Sequence, residues 1–110
     1  MNTKVINVVK RFGADVSYWG TKDRELNELA VIKILDKCYC RFRTRGVMFL
    51  NEVYEELGIP WTKQGQVDGW VFGEENGQDH MWSVWTKNDE SADVYITFEP
   101  IEDITYMLQE

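Results

Sequence analysis

Cys38, Cys40, His80 and nineteen Asp and Glu residues are the side chains of this 110-residue chain most able to do chemistry. Cys38 with His80 is the pairing to weigh for a thiol activated by a base. Both cysteines fall in a helical pattern, however, and not on a strand-to-helix turn. Two cysteines separated by one residue are too close for an ordinary disulfide framework and too few for a zinc site. They read as reduced, structural thiols. A metal-dependent nuclease often sets a lysine two positions after one of its carboxylates, and no Asp or Glu here has one. No stretch matches a calcium-binding loop closed by Glu. Gly65, Gly69 and Gly73 do not follow a strand and open a helix, so they form no phosphate loop and read as turn or bulge residues. The expectation is a protein with no catalytic residue, no metal ligand and no cofactor.

What the carboxylates do instead is crowd into one part of the chain. Residues 1–45 carry ten Lys and Arg against five Asp and Glu, a balance of +5. Residues 46–110 carry two, Lys63 and Lys87, against fourteen, a balance of −12, and the two halves together give the net −7. Such sorting shapes partners and association rates more than fold. The best basic patch is Arg41, Arg43 and Arg45, with Tyr39 and Phe42 interleaved. It suits either RNA or DNA, or the capping of a helix end and pairing with the acidic half.

The elements that position these groups follow from periodicity. Lys4–Phe12 is rich in β-branched residues, and after Gly13 the run Val16–Trp19 offers a returning strand for a short N-terminal hairpin. Thr21–Asp23 then starts a helix, with Glu25 in its first turn. Leu26, Leu29, Ile32, Leu35, Tyr39 and Phe42 recur at three- and four-residue steps as its apolar face. The helix ends in Lys37, Arg41, Arg43 and Arg45 before Gly46. A second helix has the stripe Phe49, Leu50, Val53, Tyr54 and Leu57 and stops at Gly58, two residues before Pro60. Glu52, Glu55 and Glu56 fall on its opposite, solvated side.

Beyond Lys63 the pattern shortens to strand-like runs at Gln66–Phe72, Met81–Thr86 and Val94–Glu99, with Asn76-Gly77 marking a hairpin. These predict a three-stranded antiparallel meander, closed by a short helix or cap over Ile101–Leu108. The class is α+β, with two helices packed on a small antiparallel sheet, in a single domain over residues 1–110. Such a chain is long enough to bury roughly two-thirds of its unfolded surface. Most of the five tryptophans are expected in its core.

That layout puts Glu74, Glu75 and Asp79 on the first strand connection and Asp89, Glu90 and Asp93 on the second. Glu99, Glu102 and Asp103 follow the last strand. A helix-turn-helix over Phe49–Trp70 is disfavoured, because Gly65 and Gly69 would each cost its recognition helix about 1 kcal/mol. Lys63 is also the one cation it offers to phosphates. There is no signal-peptide pattern and no run long enough to span a membrane, so the expected location is the cytoplasm.

The run from Thr44-Arg45-Gly46-Val47-Met48-Phe49-Leu50-Asn51-Glu52-Val53-Tyr54-Glu55-Glu56-Leu57-Gly58-Ile59-Pro60 through Thr62-Lys63-Gln64-Gly65-Gln66-Val67-Asp68-Gly69-Trp70 resembles an uncharacterised family. It is similar to the C-terminal part of proteins carried by phages and mobile elements of Gram-positive bacteria, over about residues 44–108. Trp61 stands where that pattern has a basic residue, and residues 1–43 fall outside the likeness. The resemblance implies a bacterial host cell and brings no known activity or catalytic residues. In size and charge the chain is also similar to small acidic anti-CRISPR inhibitors, whose carboxylates stand in for phosphates in a basic channel.

The resulting expectation is a non-enzymatic binding protein that inhibits a host defence nuclease, a CRISPR effector being the type case. Its acidic loops would occupy the basic groove. A phage structural or assembly accessory is the second reading. A small nucleic-acid binder using Arg41, Arg43 and Arg45 is the third.

Overall fold

The structure, a computed structural model, describes residues 6–73 and 81–105. Among these described residues, five strands and two α-helices follow in the order β1 (Ile6–Phe12), α1 (Arg24–Arg45), β2 (Val47–Phe49), α2 (Leu50–Leu57), β3 (Asp68–Val71), β4 (Trp82–Trp85) and β5 (Val94–Asp103). The class is α+β, with helices against small antiparallel sheets.

α1 begins where Asp23 in extended backbone accepts a hydrogen bond from Leu26 N at 3.2 Å, with Glu25 in the first turn. It ends at Gly46, which takes the left-handed conformation (φ 84°) after Arg43 and Arg45. β2 follows at once and turns directly into α2. There Glu52 reaches back to accept from Phe49 N at 2.8 Å, satisfying one of the amides that a helix start leaves free. This three-residue strand has too short a pattern to stand out beside the helix that follows it.

β5 organises the sheets. Its first part is flanked by β1 (Val8 opposite Phe98, Phe12 opposite Val94) and by β4 (Trp82 opposite Phe98, Trp85 opposite Tyr95). Its last residues pair instead with β3 (Asp68 opposite Asp103), and β3 pairs with β2. The change of partner falls at Pro100, which has no N–H to donate. There the register with β1 slips, Val8 facing Phe98 while Ile6 faces Ile101. A bulge is where a sheet accommodates such a residue.

Three expectations change. The C-terminal strands are present and antiparallel, but β3 lies on β5 and not on β4, so they do not run as a meander. Val16–Trp19 is a turn, and β1 pairs with β5 instead of with a returning strand. Of the helix or cap expected over Ile101–Leu108, the stretch from Ile101 to Asp103 instead continues β5, and residues 106–108 lie outside the described residues.

The core joins Val31, Leu35, Cys38 and Phe42 of α1 and Leu50, Val53, Tyr54 and Leu57 of α2 to Phe12, Val94, Ile96 and Phe98 of the sheet. Each large apolar side chain buried there contributes about 1.5–3 kcal/mol. Phe98 is the aromatic hub, with Tyr54, Trp70 and Trp82 ring centroids at 5.9, 6.1 and 6.2 Å. Leu35, Tyr39 and Phe42 of the expected stripe on α1 face this core, but the first half of the helix buries a different side. Asn27, Val31 and Cys38 point inward, while Leu26, Leu29 and Ile32 are 54, 50 and 47% exposed. The apolar spacing fits both sides of the helix, and tertiary packing selects between them.

Candidate binding surfaces

The basic and acidic halves are stitched together. Arg11 bridges Asp15 at 2.8 Å and Asp93 at 3.1 Å, and Arg24 reaches Asp89 at 3.0 Å. Glu56 sits between Lys37 at 3.0 Å and Arg41 at 3.4 Å, and Arg45 pairs with Glu52. Apart from Arg11–Asp15, each of these pairs joins residues 1–45 to residues 46–110. The hydrogen bond from Lys37, with the two cations' charge, holds the Glu56 carboxyl below its ordinary range. Glu52 and Glu56 thus lie half-buried against α1, and of the three acids placed on a solvated face only Glu55 is exposed.

Among the acids expected to meet a partner, two groups can be placed. Asp89 accepts from Arg24 and from Ser91 N, 3.0 Å each, and Asp93 is tied to Arg11, so both order the loop before β5. Glu90 between them is exposed. Glu99 is half-buried on β5, its N–H donating to Met81 O at 2.8 Å. Glu102 pairs through its backbone with Gly69. The Asp103 carboxylate accepts from the Thr105 hydroxyl at 2.5 Å and from Thr105 N at 2.9 Å, which lowers its pKa. Glu74, Glu75 and Asp79, with His80, lie outside the described residues.

The arginine run is engaged. Arg41 and Arg45 are in the ion pairs above, and Arg43 lies over the Tyr39 ring at 6.0 Å. Residues 64–66 form a short 3-10 turn leading into β3, so no recognition helix exists there. Cys38 is buried, its thiol pushed up to about 12 by desolvation, which makes it inert; Cys40 is exposed. Among the described residues no cluster of His, Cys, Asp and Glu is arranged to hold a metal, and no helix is long and apolar enough to cross a membrane.

The tryptophans divide differently from expectation. Trp70 is buried and Trp82 half-buried, whereas Trp19, Trp61 and Trp85 are exposed. Trp85 stacks on Tyr95 at 4.7 Å, and its Nε1–H donates to Thr97 Oγ1 at 2.9 Å. Trp19 stands on the turn after β1. Ser17 Oγ donates to Leu57 O at 2.5 Å and accepts from Trp19 N at 3.0 Å, while Tyr18 N donates to Gly58 O at 3.0 Å. Those bonds fasten the turn to the end of α2. Beside it opens a groove of about 480 Å³ lined by Trp19, Ala30, Ile34, Lys33, Lys37 and Glu56. No sequence pattern marked this groove, because its walls come from three separated elements.

β3 opens on Asp68, 2% exposed. Gln64 Nε2 donates to its Oδ1 at 3.0 Å, and burial pushes its carboxyl upward despite that bond.

No curated protein and no solved structure matches the chain. A family of unknown function (DUF6353) matches residues 3–107, so the match takes in both charge halves and every described strand and helix. The chain belongs to that family.

Proposed function

We propose that this chain is a non-enzymatic binding domain for a partner with a basic groove. The observation that supports this reading is the acid left after internal pairing. The described ion pairs match five cations to five carboxylates, Asp15, Glu52, Glu56, Asp89 and Asp93, and so leave the net charge of −7 unchanged. A surplus of that size draws a cationic surface from beyond contact range. The partner class that fits is a nucleic-acid-handling protein of a bacterial host, a CRISPR effector nuclease for example, whose channel holds phosphates. In this reading the chain acts in the host cytoplasm as an inhibitor carried by a phage or mobile element.

The test is inhibition of target cleavage by a guide-loaded CRISPR effector nuclease. Reversing Glu90 together with Glu74, Glu75 and Asp79 to Lys should weaken inhibition, as should raised salt. Asp89 and Asp93 are left intact because they hold the loop. Inhibition indifferent to both treatments, or absent, would overturn the reading.

One observation favours a second reading, an assembly accessory. Leu26, Leu29 and Ile32 share the outer side of α1, and contiguous exposed apolar surface marks association sites. It predicts an oligomer on sizing that Leu29→Glu dissolves.

A further inference from the structure

The groove beside Trp19 has the opposite electrostatic character from the rest of the molecule. Lys33 and Lys37, one turn apart on α1, form one rim, and Arg41 continues the row. The carboxylate there, Glu56, is held by Lys37 and Arg41. Among the described residues no carboxylate pairs with Lys33. The lining thus holds two cations and one acid, and Glu56 is already engaged, in a chain whose total is strongly negative. The floor is apolar, from half-buried Ala30 and Ile34, and exposed Leu26 extends the same flank of α1. Trp19 forms the far wall. Its backbone is fixed by Ser17, and its ring meets Tyr18 edge-on at 4.8 Å. A tryptophan beside an apolar floor is the kind of residue that dominates interfaces, and a backbone already held lowers the entropy lost on binding.

We propose that this groove docks a partner segment in which apolar side chains lie beside carboxylates. The apolar groups would pack between Trp19 and the Ala30–Ile34 floor while the acids meet Lys33 and Lys37. A basic segment would place like charges against the lysines, and a neutral one would leave Lys33 unused. The proposal stands apart from the acid-surface reading above, because reversing Glu90 leaves the groove untouched.

The experiment uses the full chain and a fluorescein-labelled helical peptide of leucine and glutamate, followed by anisotropy. A matched leucine–lysine peptide is the control. The leucine–glutamate peptide is expected to bind and the control not to. Lys33→Glu is expected to weaken binding about tenfold, Lys33→Arg to preserve it, and Trp19→Ala to weaken it at least as much as Lys33→Glu. Lys33 is exposed and makes no described ion pair, so its reversal reads binding without threatening the fold. Equal binding of both peptides, no binding of either, or full binding by Lys33→Glu would each overturn the proposal. Self-association lost in Lys33→Glu without peptide binding would assign the groove to a second copy and overturn it too.

Discussion

Asn27 Nδ2 donates to the carbonyl oxygen of Ala92, 2.7 Å away, tying the first turn of α1 to the residues that lead into β5. The same side chain donates to Thr21 O at 2.9 Å and accepts from Thr21 N and Oγ1 at 2.8 and 2.9 Å. It is fully buried. Asn27→Ala would take this partner from part-buried groups of Thr21 and Ala92, each loss costing about 1–3 kcal/mol. The expected result is a loss of about 3 kcal/mol in urea unfolding. A change within error would show that water replaces the side chain.

Gly58 closes α2 in the left-handed conformation (φ 72°), and a Cβ there would lie 2.8 Å from Trp19 Cδ1. Gly58→Ala carries both the backbone strain and that clash. It should cost on the order of 1–2 kcal/mol. It should also displace Trp19, visible as shifts of its indole N–H in an NMR spectrum. Destabilisation with an unmoved indole signal would separate the two effects.

Asp68 offers a stabilising change. Its native carboxyl holds a proton more tightly than in the unfolded chain, because burial opposes the charge. Wild-type stability therefore declines as pH rises from the ordinary carboxylate range through the raised native value. Asp68→Asn removes that decline. The variant should match wild type at the acid end and exceed it by about 1 kcal/mol at neutral pH. Parallel pH profiles would refute the assignment.

Glu56 behaves with the opposite sign. Its native carboxyl is lowered by Lys37 and Arg41, so its contribution is present above the ordinary carboxylate range and is lost as pH falls through the lowered value. Glu56→Gln should cost about 1 kcal/mol at neutral pH and flatten the acid limb of the stability profile. Melting temperatures taken across that acid range would check it.

The parts of the fold legible in the sequence are those set by local chemistry. Asp23 and Gly46 bound α1, Gly58 ends α2, and the three C-terminal strands fall where β-branched and aromatic residues cluster. Pairing was not legible, because β1 finds its partner on β5 and nothing near Phe12 encodes Val94. The buried side of α1 is legible at Leu35 and Phe42 but not in the first half of the helix, for a similar reason. Leu26, Leu29 and Ile32 are as regular a stripe as Val31, Leu35, Cys38 and Phe42, and only the sheet chooses. The charge sorting was visible, but its use in joining the halves appears only when Arg24 meets Asp89 and Arg41 meets Glu56. The Trp19 groove was invisible because it depends on Ser17 holding the end of α2.

The pairing of β1 with β5 sets a timetable during synthesis. β1 leaves the ribosome first among the described strands, and its hydrogen-bonding partner is made last. Until Val94 and the residues after it emerge, Val8, Val9 and Phe12 have no sheet to join, whereas α1 and α2 can already form and meet. Nascent chains that stop before β5 should therefore hold helices but stay open to proteases and chaperones, and closure should come in one late step.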